Sequence, residues 1–281
     1  MAPSAPVCDQ PIYVVYQMGK VGSSTVYESL RRAGVPRVHK VHYLTAEGLD
    51  RARRSYQGFS VRVPVPHEAT SMMLRTILSA GSPDVRWKVI TLVREPIARD
   101  VSAYVQMVDL LNPELVAGAS PQVSRIARAA AAQFVGFDEN RSYTCRWFDD
   151  EFARTFGVDV LARPFEHGRG WGRITQDNVD VLVLRMEDLD RVFETAMLDF
   201  SGRRVPAIYQ SARSPQKLQA AYRKDVYQQI LDQARISEQS CRAVYQSRYA
   251  RHFYSQDELA GFQERWSGER IPEGDRPWRS H

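Results

Sequence analysis

The sequence has few cysteines and no long apolar run. Its three cysteines, Cys8, Cys145 and Cys241, are far apart and form no CxxC pair or Cys/His ligand spacing. This pattern argues against a disulfide framework and against a zinc site. No window approaches the ~18 uninterrupted apolar residues of a membrane-spanning helix, and the first ten residues lack the basic and apolar regions of a secretory signal. We therefore expect a cytoplasmic protein with no membrane span and no metal.

Lysine is also scarce. Only five of the 38 basic residues are lysines, against 33 acidic residues, and the formal net charge is +5. This excess is mild and lacks the dense basic runs of nucleic-acid-binding arms, so no nucleic-acid partner is expected. Because lysines are few, a lysine within a glycine-containing loop stands out from the rest of the chain. Lys20 lies in such a loop.

Apolar runs alternate with helical patterns along the first half of the chain. This order predicts an α/β fold with a central parallel sheet and crossover helices. From about Gln216 onward the sequence predicts a helical region, with an aromatic cluster at Tyr245–Tyr254 that is typical of core packing. Ser120–Asn140 is predicted to be helical without a strong apolar stripe, as a surface excursion or lid. The predicted strands are Ile12–Tyr16, Arg37–Val41, Lys88–Val93 and Val179–Leu184.

The loop Lys20–Thr25 lies between a predicted buried strand and a predicted helix. Such a turn presents backbone N–H groups and the positive end of a helix dipole to a phosphate or sulfate. The alternative is a tight turn in which Ser24 or Thr25 caps the helix and nothing binds. The loop is not a Walker A motif, because Val14 replaces the required first glycine and Val21 follows the lysine.

The strand Lys88–Val93 ends in Arg94, where a magnesium-binding NTPase usually has an aspartate. Arginine offers a planar donor fork that suits a phosphate. Ser102 follows eight residues later, about two helical turns on, on the same helix face as Arg94 if the helix begins at once. The alternative is a surface ion pair between Arg94 and Glu95.

Taken together, these two segments resemble the nucleotide signatures of sulfotransferases that use 3′-phosphoadenosine 5′-phosphosulfate (PAPS). The resemblance implies a P-loop-like three-layer fold, PAPS as co-substrate and transfer of its sulfuryl group to a hydroxyl acceptor, a carbohydrate above all. It implies that Arg94 and Ser102 bind the 3′-phosphate, and that Lys20 also stabilises the leaving oxygen. The loop for the 5′-phosphosulfate would consist of Lys20, Val21, Gly22, Ser23, Ser24 and Thr25.

Two stretches narrow the resemblance. Gln17–Ser23 and Arg251–Ser255 are similar to a bacterial group of sulfotransferase-like proteins named for capsular polysaccharide synthesis. We interpret the chain as a single domain, 1–281, made of a nucleotide-binding core at 12–110, an acceptor or lid region at 112–177 and a helical C-terminal region at 216–267. No motif assigns an oligomeric state.

The reaction needs a base for the acceptor hydroxyl, and histidine has a suitable pKa. His42 follows the second predicted strand, and ligands of open α/β sheets gather at the carboxyl ends of strands. Val38–His42, with its two histidines His39 and His42, also resembles the paired-histidine segment of glycan 2-O-sulfotransferases, in which the second histidine is the base. We therefore assign His42 as the catalytic base, with His67 and Glu68 as alternatives.

Two other functions fit parts of the sequence. A nucleotide-dependent kinase would use the same loop, although the spacing and the missing strand-end aspartate argue against it. A non-catalytic protein that binds anionic polysaccharide or RNA would use the arginine runs at Arg31–Arg32 and Arg51–Arg54, which more often form solvated helix faces.

Overall fold

The computed structural model describes residues 10–58, 63–116, 122–134, 142–208 and 227–268. The strands are β1 (Ile12–Tyr16), β2 (Val38–Val41), β3 (Trp87–Val93), β4 (Trp171–Gln176) and β5 (Val179–Arg185). The first eight helices are α1 (Ser23–Arg32), α2 (Ala46–Gln57), α3 (Glu68–Ser79), α4 (Pro96–Leu111), α5 (Val123–Ala132), α6 (Tyr143–Trp147), α7 (Arg154–Phe156) and α8 (Leu189–Ser201). Residues 227–233 are helical, and further helices follow at Glu238–Tyr245, Arg248–Phe253 and Gln256–Ser267.

The described residues belong to two compact units. The first takes its residues from Met1–Arg94 and Trp147–Gln210, and it contains all five of the described strands. The second takes its residues from Glu95–Arg146 and Ser211–His281, and its described elements are helical. The predicted division of a single domain at 12–110, 112–177 and 216–267 stays a prediction.

The five strands of the first unit form one sheet in the order β2-β1-β3-β5-β4. β1 runs parallel to both β2 and β3, and β3 runs parallel to β5. All five side chains of β1 are buried, as are six of the seven in β3 and six of the seven in β5. Near-continuous apolar runs of this kind are typical of strands with both faces covered. The predicted α/β class is confirmed.

The sheet is mixed rather than parallel, because β4 pairs with β5 in antiparallel orientation. The sequence did not predict β4. Only Asp177 and Asn178 separate the two strands, with Asp177 in the left-handed region at φ +50°. A two-residue connection makes a hairpin and cannot make a parallel crossover. The finer assignment to a P-loop-like three-layer fold stays a prediction.

In the second unit, Glu95 holds the beginning of α4. Its buried carboxylate accepts hydrogen bonds from the Ile97 and Ala98 amides, each at 2.7 Å. It also accepts one from the Tyr245 hydroxyl at 2.8 Å and one from the Trp266 Nε1 at 3.1 Å. Glu95 therefore connects α4 to the C-terminal helices. The predicted core role of the aromatic cluster at Tyr245–Tyr254 is confirmed for its four main members, Tyr245, Tyr249, Phe253 and Tyr254, each at most 1% exposed.

The segment predicted as a surface excursion contains a helix with an apolar face. α5 buries Ile126, Ala127 and Ala130, which recur at helical spacing. The prediction of a helix is confirmed for Val123–Ala132, but the statement that it lacks an apolar stripe is wrong, because small alanines supply much of it. Residues 120–121 and 135–140 of the predicted segment lie outside the described residues.

Candidate functional site

The loop between β1 and α1 has an unusual backbone. Lys20 and Gly22 both have positive φ, at +72° and +85°. A residue with a Cβ in this conformation costs roughly 1–2 kcal/mol, so Lys20 is held there by its surroundings. Gly22 is the N-cap of α1, and no side chain caps the helix. The alternative in which Ser24 or Thr25 caps α1 is therefore wrong, and the helix begins without a side-chain acceptor for its first amides.

Arg94 connects the end of β3 to this loop. Its Nη1 donates a hydrogen bond to the Lys20 carbonyl oxygen at 3.0 Å. The adjacency of β1 and β3 explains the contact, because neighbouring parallel strands end at the same edge of the sheet. The structure thus brings Arg94 to the Lys20 loop, and the binding of an anion by the two stays a prediction. The contact also holds the carbonyl of the strained residue Lys20 in place.

The other predicted loop residues differ in accessibility. Val21 is fully buried, which leaves its backbone as the part that can face a ligand. Ser23 is buried, and Ser24 and Thr25 are partly exposed on the first turn of α1. Ser102 is buried in α4, in the second unit, whereas Arg94 is the last residue of the first segment of the first unit. The assignment of Ser102 to the 3′-phosphate stays a prediction.

Lys40 lies beside the same loop and was not among the predicted site residues. Its Nζ donates a hydrogen bond to the Ser24 Oγ at 3.0 Å. In the sheet Lys40 is paired with Val15 of β1, near the carboxyl end of both strands. Burial lowers the pKa of the Lys40 ammonium, and the nearby Glu28 partly opposes this shift. The scarcity of lysine was the signal that could have identified it.

His42 directly follows β2, as expected for a strand-end histidine. Its Nδ1 lies 2.9 Å from the Gln17 carbonyl oxygen. A ring nitrogen at this distance from a carbonyl carries the proton, because two lone pairs would repel each other. In the neutral ring the lone pair is then on Nε2, the atom that could accept a proton. Its role as a base stays a prediction.

The alternative base His67 lies close to His42. Their ring centroids are 5.3 Å apart in an edge-to-face arrangement. His67 is the N-cap of α3 with φ +61°. Burial, and then the Lys40 charge, lower the pKa of His67, so its neutral form is favoured. The other alternative, Glu68, accepts a hydrogen bond from the Arg53 Nε at 2.7 Å and so forms an ion pair, which makes it a weaker candidate.

A buried carboxylate that was not predicted from the sequence fixes the chain after His42. Glu151 is fully buried and accepts hydrogen bonds from the Tyr16 hydroxyl and the Thr45 hydroxyl, each at 2.7 Å. It also accepts from the Leu44 and Thr45 amides at 3.1 and 3.2 Å. A Cβ at Gly48 would lie 1.5 Å from the Glu151 Oε1, so only glycine fits there. Glu151 therefore positions the segment next to His42.

One comparison with known proteins gave a match. Residues 137–255 match the model of the family described as "Putative capsular polysaccharide synthesis protein" (NKWYS). The matched segment is less than half of the chain. It includes Glu151, β4 and β5, and it excludes the Lys20 loop, His42 and Arg94. No curated protein and no solved structure matches the chain significantly.

Among the described residues, no helix combines the length and apolarity needed to cross a membrane. The same residues contain no group of three or more histidine, cysteine, aspartate or glutamate side chains placed to hold a metal ion.

Proposed function

We propose that the protein is a PAPS-dependent sulfotransferase that sulfates a hydroxyl group of a carbohydrate. The observation that carries the proposal is the hydrogen bond from Arg94 to the Lys20 carbonyl oxygen. It places an arginine fork and a lysine-containing helix N-terminus at one edge of the sheet. A nucleotide with two separate anionic ends, the 3′-phosphate and the 5′-phosphosulfate, requires two such cationic groups.

The loop suits the 5′ end of the nucleotide. α1 has no side-chain cap and no acidic residue in its first turn, and both features favour an anion at a helix N-terminus. Lys20 adds a point charge at the same place. In this proposal Arg94 and, from the sequence motif, Ser102 bind the 3′-phosphate.

The proposed chemistry is an in-line displacement at sulfur. The acceptor hydroxyl gives its proton to the Nε2 of His42, and its oxygen forms a bond to sulfur. The bond between sulfur and the bridging phosphate oxygen breaks, which yields a sulfate ester and 3′-phosphoadenosine 5′-phosphate. The ammonium of Lys20 stabilises the negative charge that develops on the leaving oxygen. The Gln17 carbonyl, 2.9 Å from Nδ1, favours the imidazolium that forms on His42.

The carbohydrate acceptor is supported by the family match. A segment similar to capsular polysaccharide synthesis proteins fits a role in polysaccharide chemistry. Sulfation is one of the reactions that modify polysaccharide hydroxyl groups, and the two anion-binding segments favour it over the others.

A thermal-shift titration tests the nucleotide assignment. A ligand that binds only the folded state raises its stability, by about 2.7 kcal/mol at a concentration 100 times its Kd. We expect 3′-phosphoadenosine 5′-phosphate to stabilise the protein without added metal, and AMP and ATP to do so far less. Arg94→Lys should reduce the preference for the 3′-phosphate, because lysine lacks the donor fork. The exposed Arg86 supplies the matched control, Arg86→Lys, which should behave like the wild type.

Other outcomes support the alternative functions. Equal stabilisation by AMP and 3′-phosphoadenosine 5′-phosphate contradicts a 3′-phosphate site. Stronger stabilisation by ATP with magnesium favours the kinase. Binding of anionic polysaccharide that falls steeply with salt, without any saturable nucleotide binding, favours the non-catalytic protein.

A further inference from the structure

A groove of about 950 Å³ lies at the amino ends of the parallel strands, and the proposed reaction makes no use of it. All of its lining residues belong to the first unit. They come mainly from the end of α3, from the chain that leads into β3, and from α7 and the hairpin of β4 and β5. Ligand-binding clefts usually measure ~300–1,000 Å³, so the groove is large enough to hold a ligand.

The charges in the groove are largely paired with each other. The Asp180 carboxylate forms ion pairs with Lys88 at 3.0 Å and with Arg173 at 2.8 Å. An anionic ligand would compete with Asp180 for these cations, and a cationic ligand would compete with the cations for Asp180. We therefore expect an uncharged ligand, with these three side chains keeping their present partners when it binds.

The rest of the lining fits a ligand that has both hydroxyl groups and apolar surface. The Ser82 hydroxyl has no hydrogen-bond partner among the described residues. The Asn178 side chain donates one N–H to the Val85 carbonyl oxygen at 2.7 Å, and its second N–H and its oxygen have no partner among these residues. Ile77 and Phe156, both half-buried, add apolar surface. Sugar rings have hydroxyl groups at their edges and C–H groups on their faces, so they suit such a lining.

The segment that matches a known family contributes much of this lining. Residues 137–255 include α7 and both strands of the hairpin, and with them the groove residues Phe156, Thr175 and Asn178. The residues of the proposed reaction at the carboxyl ends lie outside the match. The similarity to polysaccharide synthesis proteins therefore concerns the groove more directly than it concerns the Lys20 loop.

A smaller groove connects this region with the segment after His42. It measures about 340 Å³, shares Leu78 and Thr155 with the larger groove, and is also lined by Leu44 and Thr45. Leu44 and Thr45 follow His42 by two and three positions. The two adjoining grooves thus extend from the amino ends of the strands to the neighbourhood of the proposed base. A polysaccharide, unlike a single sugar, is long enough to occupy both places.

We propose that the larger groove binds an uncharged segment of the acceptor polysaccharide, away from the hydroxyl group that reacts. This inference rests on the proposed function for the carbohydrate class of the acceptor. No bond forms or breaks in the groove. The contact is therefore the same in the ground state and in the transition state, and its loss should raise KM for a long acceptor more than it lowers kcat.

A glycan array with dextran, galactomannan and chitohexaose as neutral probes, and heparin as the sulfated comparison, tests the inference. We expect the wild type to bind at least one neutral glycan. Thr175 is exposed on β4, so Thr175→Trp should fill part of the groove and weaken that binding at least ~10-fold, which corresponds to ~1.4 kcal/mol. Thr175→Ser adds no bulk and should bind like the wild type. Leu198 is 52% exposed on α8 and does not line the groove, so Leu198→Trp is the matched control and should also bind normally.

A second variant and a measurement of folding separate ligand binding from a structural role. Ser82→Trp places the same bulk in the groove from the connection between α3 and β3, and it should weaken the same glycan. Denaturant unfolding should give both tryptophan variants a midpoint close to that of the wild type. Wild-type glycan affinity in either folded variant overturns the inference.

Binding of 3′-phosphoadenosine 5′-phosphate distinguishes failure of this inference from failure of the proposed function. If the wild type selects this nucleotide over AMP but binds no neutral glycan, or binds heparin alone, the inference is wrong and the proposed function stands. If it binds a neutral glycan that Thr175→Trp and Ser82→Trp weaken, but does not select the 3′-phosphate, the groove is a carbohydrate site and the proposed function is wrong. If it binds neither the nucleotide nor a neutral glycan, both are wrong.

Discussion

Lys40 and Lys88 lie at opposite ends of the parallel strands of the first unit, and their surroundings differ. Lys88, near the beginning of β3, donates to the Asp180 carboxylate at 3.0 Å and to the Phe200 carbonyl oxygen at 2.5 Å. Arg173 donates to the same Asp180. Lys40, near the end of β2, donates to one hydroxyl. The lysine at the amino ends is part of an ion-pair network. The lysine at the carboxyl ends has one hydrogen-bond acceptor among the described residues, although an ammonium group has three N–H donors.

Cavity volume and the pairing of charges point to different edges of the sheet as the place where an anion would bind. A groove of about 950 Å³ lies at the amino ends, with Trp87, Arg173 and Asp180 among its lining residues. An anion binding there would compete with ion pairs that already exist. At the carboxyl ends, the uncapped α1 and Lys40 lack such internal partners among the described residues. We therefore expect an anion to bind at the carboxyl ends rather than in this groove.

The largest effect is expected for His42→Ala, at the carboxyl ends. Turnover should fall by roughly 10²–10⁴-fold, the usual contribution of a positioned base, whereas binding of 3′-phosphoadenosine 5′-phosphate should stay nearly intact. Steady-state kinetics and calorimetry measure the two quantities. His39→Ala, in β2 itself, is the matched control and should retain turnover.

The same experiment can identify a different base. If His42→Ala keeps the wild-type kcat while His67→Ala or Glu68→Gln loses it, the base precedes or begins α3. That result would keep the catalytic edge of the sheet but correct the residue.

The next effect is expected for Lys20→Ala. Its charge is most valuable when the leaving oxygen becomes anionic, so the substitution should lower kcat with a loss of ~2.7–4 kcal/mol in transition-state stabilisation. Lys88→Ala, at the amino ends, is the matched control and should leave kcat per folded molecule unchanged. A normal rate for Lys20→Ala would show that the loop binds without taking part in the reaction.

A smaller effect, on stability, is expected at the amino ends. Burial opposes ionisation of Asp180, but hydrogen bonds from Arg173 and Lys88 dominate and lower its pKa. The contribution of ionised Asp180 to the stability of the fold is therefore fully present above its unfolded pKa of ~3.9. It is lost as the pH falls through the lower pKa of the folded state. Asp180→Asn should cost about 1–3 kcal/mol at pH 7.

Chemical denaturation at several pH values measures this contribution. The difference between wild type and Asp180→Asn should narrow toward acid, and turnover per folded molecule should stay unchanged. A loss of turnover at pH 7 in a fully folded variant would contradict the division between a non-catalytic and a catalytic edge.

The smallest effect is a change in the titration of His67. Burial and the Lys40 charge lower the pKa of His67, so Lys40→Met should raise it toward the usual ~6.5. NMR titration of the histidine ring protons measures the shift, with Arg32→Met as control. An unchanged pKa of His67 would show that the Lys40 charge does not act on this histidine.

Local sequence determined much of the sheet. β1, β3 and β5 were predicted within one residue at each end, since each is a short apolar run bounded by polar residues. The Lys20 loop followed from the end of β1, and the position of His42 followed from the predicted end of β2 at Val41. The proximity of the loop to Arg94 followed from the rule that parallel strands end at one edge.

Tertiary structure decided the rest, because the decisive contacts join distant parts of the chain. β4 is a half-exposed edge strand whose pairing with β5 stabilises it more than its own pattern does. Glu151 acts on Thr45 from 106 residues away, and Lys40 reaches Ser24 through the pairing of β1 and β2. A sequence pattern reports the periodicity of neighbouring residues. The charges and donors that a fold leaves uncompensated depend on which distant side chains it brings together.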